Sequence, residues 1–235
     1  MTVPPTDRAT PVLRFRPQFD SDTLKIASVL ILPPAHLKDE VEAVLRVGLR
    51  HLCKWEEDDL SVPAIALNLP DEVAASKDLA RYLIWEIDRQ DIAPDRVIFC
   101  AAAPPMQPVP AAADFEGLRE LAEFGCCIEL DSLDQDALHT LSAAQLPVLW
   151  LRLDETAVRD CHRNAADNQL LLSQMALAEK AELPTIAGPV SDPDELAFIT
   201  KIGCKFVYGD AVGSDCDLDG ISALLSEKSG AESAA

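Results

Sequence analysis

PVLRFRPQFDSDTLKIASVLIL, residues 11–32, is the stretch that decides the fold. Two runs of strand-forming residues, 11–17 and 25–32, are separated by the short link FDSDTL (19–24). A parallel pair needs a crossover of about a dozen residues or more, usually with a helix. This link is too short for one, so the pair is expected to be an antiparallel hairpin. Further strand-like runs follow at 63–69, 95–100, 126–130, 147–153, 184–187 and 205–208. Between them lie helical patterns at 36–56, 71–91, 114–124, 134–144, 155–181 and 192–202, with a last helix at about 217–227. Eight strands with helices between them predict an α/β fold, a modified (β/α)8 TIM-like barrel with an antiparallel first strand.

Residues 1–10 and 228–235 are small, polar or Pro-rich and are expected to be mobile tails, leaving 11–227 as a single barrel domain. The chain has 235 residues, 49% of them hydrophobic, enough for a substantial core. Its 40 acidic and 20 basic residues give a net charge of −20. That charge repels phosphate backbones and anionic lipid, so no nucleic acid and no membrane surface is expected as a partner. Seven cysteines, at 53, 100, 126, 127, 161, 204 and 216, are odd in number and include no C-x-x-C pair. Most sit in apolar runs, which suits a reducing cytoplasm rather than a disulfide framework. No run of about 18 apolar residues is present to span a membrane.

A family resemblance emerges from the order of several short motifs. From about residue 13 to 213 the chain resembles the EAL domain of cyclic di-GMP phosphodiesterases. RFRPQFD (14–20) is similar to that family's opening Q-P-I-x-D. ALNLP (66–70) resembles x-N-L-S, and DIAPDRVIFCAAA (91–103) resembles the approach to Glu-x-x-Glu. LAEFGCCIELDSLD (121–134) is similar to the segment ending in Asp-Asp-Phe-Gly. LWLRLDETAV (149–158) resembles Leu-Lys-Ile-Asp and the helix after it. LPTIAGPVSDPDEL (183–196) and IGCKFVYGDAVG (202–213) are similar to the segments holding Ala-Glu-Gly-Val-Glu and the closing Gln-Gly-Tyr.

The resemblance implies a site in which two divalent cations, held by carboxylate and amide oxygens, activate water. Most of those ligands are replaced. No residue from 26 to 32 is acidic, and proline stands where a phosphate-facing arginine is expected. Cys100 and Ala103 stand at the two glutamates of Glu-x-x-Glu, and Ser132 at the second aspartate. Arg152 stands at the lysine, Gly188 and Ser191 at the two later glutamates, and Tyr208 at the glutamine before Gly209. Asn68, Asp131 and Asp154 keep the family's residue type. The remnant ligand-facing set is therefore Asn68, Asp131, Arg152, Asp154, Tyr208 and Gly209, with no catalytic residue, no metal and no cofactor expected.

Several roles stay open for these groups. Asp131 and Asn68 are expected to bond strand-end backbone or to pair with Arg152, with a single-metal site as the alternative. Arg152 either forms that structural pair or clamps an anion. Trp150 reads as a packed aromatic, with stacking on a guanine as the alternative. Cys100, Cys126 and Cys127 lack a histidine near the strand ends and are not expected to be nucleophiles. AGPV (187–190) and YGDAVG (208–213) follow the last two strands, where many barrels bind phosphate through backbone N–H groups. The uncharged Pro/Ala stretch 101–113 reads as a barrel-mouth loop suited to a contact role.

These observations point to a non-catalytic regulatory or adaptor protein that binds another protein, with a homodimer also open. The alternatives are a metal-independent cyclic di-GMP receptor, which is disfavoured, a barrel enzyme for a small phosphorylated or anionic substrate, and a purely structural subunit.

Overall fold

The computed structural model describes residues 12–37, 40–60, 62–102, 115–131, 146–163 and 165–232. The expected helix at 134–144, most of the Pro/Ala stretch 101–113, and positions Ala103 and Ser132 lie outside them. Eight strands close into one barrel in sequence order. They are β1 (Arg14–Asp20), β2 (Ile26–Leu32), β3 (Ile65–Asn68), β4 (Val97–Ala102), β5 (Cys127–Asp131), β6 (Trp150–Arg152), β7 (Thr185–Ala187) and β8 (Phe206–Val207). β1 runs antiparallel to both neighbours, β2 and β8, and every other pair is parallel. The expected hairpin is therefore present.

The hairpin turns because Asp20 organises it. Its Oδ1 accepts from the backbone N–H of Thr23 at 2.9 Å and from the Thr23 hydroxyl at 2.9 Å. β1 begins and ends three residues later than the 11–17 expected, because Pro17 does not stop it. On its β8 side the ladder starts only at Phe19↔Val207, after an isolated bridge at Phe15↔Cys216. Pro17 falls between them, where a missing N–H costs little.

Asp20 also ties the closing seam, with its Oδ2 2.5 Å from Nζ of Lys205 just before β8. The hydrogen bond from Lys205 holds its carboxyl down at about 2, against the opposing effect of burial. A carboxyl with a lowered folded pKa adds stability above its unfolded value and loses it as pH falls through the folded one. Asp20→Asn is therefore expected to cost about 1 kcal/mol at pH 7, since Lys205 is half exposed and the pair is screened. The gap to the parent should close between about pH 4 and pH 2. Urea midpoints at pH 7, 4 and 2.5 measure this.

The helices are α1 (Val41–Glu57), α2 (Asp71–Ala75), α3 (Lys77–Arg89), α4 (Glu116–Phe124), α5 (Glu155–Val158), α6 (Ala165–Lys180), α7 (Pro193–Lys201) and α8 (Leu218–Glu232). α1 buries Val41, Val44, Leu45, Gly48, Leu49, Leu52 and Trp55, a helical stripe laid on the sheet. Two expected long helices are broken. In 71–91 the break is Ser76, whose side chain caps α3 by accepting from the N–H of Leu79. In 155–181 the helix stops after Val158. There the buried carboxylate of Glu195 accepts from the N–H of Asp160 at 2.7 Å and of Ser191 at 2.6 Å. α8 continues to Glu232, past the expected end at 227. Gly125, in the left-handed region, ends α4 as expected.

Strand alternation divides the core in two. Outward residues such as Val29, Ile31, Ile65, Leu67, Phe99, Ile128, Leu130 and Leu151 pack under the helices. Inward residues Leu30, Ala64, Ala66, Ile98, Cys100, Trp150, Ile186 and Tyr208 fill the barrel. Trp150 and Phe206 meet inside it with ring centroids 4.4 Å apart. Cys126 and Cys127 point to opposite faces, as their adjacency requires.

Candidate functional site at the barrel mouth

In a parallel barrel the carboxyl ends of the strands form one rim. Alternation turns Asn68 on β3, Cys100 on β4, Glu129 and Asp131 on β5, and Trp150 and Arg152 on β6 towards the interior. β1 runs the other way, so its beginning is what reaches this rim. Arg14 is level with Leu32, the last residue of β2, and Arg16 is level with Leu30.

The centre of the mouth is a buried ion pair. Arg152, at the end of β6, donates from Nε to Oε1 of Glu129 at 2.6 Å, and its Nη2 contacts the same oxygen. Glu129 is 0% exposed and spends its other oxygen on the indole N–H of Trp150 at 2.5 Å. Burial alone would lower the pKa of Arg152, but the Glu129 carboxylate, then Cys100, Tyr208 and Asp131, raise it instead. Arg152 is therefore a fixed cation. The expected partner, Asp131, also pairs with Arg152, at 4.0 Å and half exposed, while Glu129 is the closer and fully buried partner that the sequence reading did not name. Burial pushes the Asp131 carboxyl up. Arg152 opposes this, and the carboxylates of Glu129, Glu155 and Asp154 add to it.

The other anticipated residues do separate jobs. Asn68 is exposed at the end of β3, level with Cys100. Asp154 caps α5 by accepting from the N–H of Thr156 at 2.7 Å, and the Thr156 hydrogen bonds hold its carboxyl low. Tyr208 is fully buried, and its hydroxyl lies 3.0 Å from the Gly188 carbonyl and 3.1 Å from Glu155 Oε1. Burial raises its pKa. Gly209 has φ +128°, and a side chain there would collide with the Val190 backbone.

Sequence reasoning missed three groups. Arg16 forks onto Asp215 at 2.7 and 2.8 Å, and its guanidinium carbon lies 5.0 Å from the Tyr208 ring centre. Arg152 lies 5.5 Å from the same ring, so two cations flank Tyr208. The signal for Arg16 was the reversed first strand itself, which carries the beginning of β1 to the rim. The signal for Glu129 was a lone acid inside the apolar run CCIEL, two residues from Asp131 and so on its face. Glu155, which meets Tyr208, carried no signal beyond its neighbour Asp154.

The phosphate-loop reading finds several of its N–H donors already used. The N–H of Val190 bonds the Tyr208 carbonyl at 2.8 Å, and that of Ala211 bonds Val190 at 3.0 Å. Those of Val212 and Gly213 both bond Gly209, and that of Ser191 bonds Glu195. The thiols do not favour nucleophilic chemistry. Burial raises Cys100 well above its ordinary value and pushes Cys126 up to about 12. Among the described residues, the one group of three His, Cys, Asp or Glu side chains with ligand atoms within 4.8 Å is His162, Asp192 and Asp194. It joins the loop after α5, the N-cap of α7 and the first turn of α7. Asp192 there already caps α7 and meets Arg163.

Comparison with known proteins places this geometry. The family model for the EAL domain matches residues 36–215. The chain is 28% identical over 86 residues to the cyclic di-GMP phosphodiesterase PdeR of Escherichia coli K12, covering 37% of this chain and 13% of PdeR. It is 26% identical over 92 residues to the cyclic di-GMP phosphodiesterase NbdA of Pseudomonas aeruginosa, covering 39% of this chain and 12% of NbdA. The aligned part is thus a small fraction of each relative's length.

Among solved structures, the EAL domain of Mycobacterium smegmatis DcpA superposes with TM-score 0.81 at 17% identity, over 94% of this chain and 98% of that one. The PaMucR phosphodiesterase in its c-di-GMP complex gives 0.78 at 19%, over 91% and 95%. The FimX EAL domain of Pseudomonas aeruginosa bound to c-di-GMP gives 0.67 at 15%, over 88% and 91%. At these identities the superpositions speak for the fold. The match of the family model across most of the barrel, from β2's exit to the seam beyond β8, makes this chain a member of the EAL domain family.

Proposed function

We propose that this chain is a non-catalytic EAL barrel that acts as a regulatory or adaptor protein through contact with another protein. The buried Glu129–Arg152 pair is the observation that carries the reading. Both Glu129 oxygens are committed, to Arg152 and to Trp150, and the guanidinium stands 4.0 Å from Asp131. Two hard cations need a gathering of carboxylate and amide oxygens. A fixed positive charge beside the strand-end carboxylate opposes them, and Asn68 is two strands away, beyond Cys100 and Ala102 of β4. The described residues at the mouth do not fit a metal pair. Purified protein is expected to leave cyclic di-GMP intact in magnesium or manganese buffer, followed by chromatography of the products. Linear dinucleotide formed above the buffer rate would overturn the reading.

A second reading is metal-free binding of cyclic di-GMP through the remnant set Asn68, Asp131, Arg152, Asp154, Tyr208 and Gly209. The two guanidiniums that flank Tyr208 favour it, and PaMucR and FimX carry c-di-GMP in their structures. Against it, each guanidinium is already tied to a carboxylate, and a chain of net charge −20 repels a dianion. Calorimetric titration with cyclic di-GMP in EDTA separates the readings, with no micromolar binding expected. We place the protein in the cytoplasm, in keeping with its seven free cysteines. Among the described residues no helix is long and apolar enough to cross a membrane.

A further inference from the structure

We propose that the groove between the start of α1 and the exposed face of α3 docks a basic, apolar-anchored segment of another protein. The proposal rests on the protein-binding reading above and assigns that reading a surface. Three large apolar side chains on α3, Leu79, Tyr82 and Trp85, are 41%, 62% and 57% exposed. Spaced three apart, they form one stripe along the helix. Exposed aromatics at this density are rare on a free surface and are enriched at protein interfaces. Beside the stripe lies a groove of about 440 Å³, with Val73 and Leu83 in its floor and Leu79 and Tyr82 at its edge.

Charge selects the occupant. The groove is rimmed by Glu40, Glu42 and Glu72, and its one basic liner, Arg46, is bound to Glu42 and Glu86. The groove lining thus carries three carboxylates against one guanidinium, and the other basic groups around the stripe are each paired with acids, Arg81 also reaching Asp78 at 3.9 Å. Lys77 and Arg81 meet Glu120, and Arg89 meets Glu86 while lying 5.1 Å from the Trp85 ring centre. Glu72 has no ion-pair partner among the described residues and is exposed. An apolar stripe beside an acidic rim complements lysine and arginine around an aliphatic or aromatic anchor. A second copy of this chain carries the same net charge of −20, so self-association through an acid-rimmed face is opposed.

The chain provides its own reporter. Of its three tryptophans, Trp55 and Trp150 are buried and Trp85 is exposed, so acrylamide quenching reads Trp85. The probe is a synthetic amphipathic peptide of leucine on one face and lysine on the other, with its glutamate counterpart as control. Binding of the lysine peptide is expected to shift Trp85 emission to the blue and cut its quenching at least twofold. Tyr82→Ala and Glu72→Lys should each weaken binding at least tenfold. Glu179→Lys, an equal charge change on the distant α6, should leave it within about twofold. The proposal is overturned if the lysine peptide does not bind, if it binds without protecting Trp85, or if the glutamate peptide binds equally. It is also overturned if Glu179→Lys weakens binding as much as Glu72→Lys. Two further results would replace the occupant and so overturn it. One is greater Trp85 quenching in free protein after shortening 103–113, which would assign the groove to the chain's own segment. The other is Trp85 protection that rises with protein concentration, which would assign it to a second copy. Failure of the peptide leaves the absence of hydrolysis untouched, and hydrolysis would remove the non-catalytic reading without altering the peptide result.

Discussion

Arg152→Met should lower the unfolding free energy by about 3–5 kcal/mol, the range for breaking a buried ion pair from one side. The reason is what the substitution leaves behind. Glu129 is 0% exposed, and Arg152 is the cation that meets it. Without that guanidinium the Glu129 carboxyl stays buried in the barrel without its cation, which is costly whether it keeps its charge or not. Removing the charge as well should restore most of the loss. In the double variant Glu129→Gln with Arg152→Met the amide oxygen still accepts from Trp150, and no unpaired charge is buried. At least half of the lost stability is expected to return, because replacing both partners of such a pair is often close to neutral. Urea unfolding of the parent, the two single variants and the double variant gives the coupling directly. A single-variant loss below about 1 kcal/mol would mean that water or another group reaches Glu129, and the pair would lose its place as the organising feature of the mouth.

Gly209→Ala is the second large effect, a destabilisation of about 3 kcal/mol. Two costs combine. At φ +128° an alanine is held in a backbone region that L side chains avoid, worth about 1–2 kcal/mol. Its Cβ would also lie 2.4 Å from the Val190 nitrogen and 2.6 Å from the Val190 oxygen. Backbone cannot rotate away as a side-chain end can, so overpacking adds about 1–3 kcal/mol. The Val190 N–H is bonded to the Tyr208 carbonyl, so the displacement would pass to the buried Tyr208 ring. Gly203→Ala is the comparison. It shares a positive φ of +89° but meets nothing within 4 Å, so it should show the backbone cost without the collision. Equal losses in the two variants would remove the close approach of the last two loops as a cause.

Much of the barrel was legible because each element is short and its period is local. The runs 25–32, 63–69 and 205–208 overlap β2, β3 and β8, and Gly125 marks the end of α4. The breaks at Ser76 and after Val158 were not legible in the same way. Ser76 competes for a helix N–H that an uninterrupted pattern also satisfies. The stop after Val158 depends on Glu195, which arrives from α7 to take the N–H of Asp160. No local pattern contains a partner 35 residues away.

The site divides along the same line. The resemblance sets Cys100, Ser191 and Tyr208 where the family's oxygen ligands are expected, and that reading needs no coordinates. The antiparallel first strand is likewise dictated by a link too short to cross over. What occupies the mouth instead was decided only by closure of the barrel. Register sets Glu129 beside Trp150 and Asp131 beside Arg152, and side-chain reach then brings Arg152 closer to the deeper acid than to its neighbour in register. Reversal of β1 carries Arg16 to the Tyr208 ring, and β8 brings that ring to Arg152. Residue types and their local periods belong to the chain. Which charges neutralise each other depends on contacts between strands far apart in sequence, and these exist only once the sheet has closed.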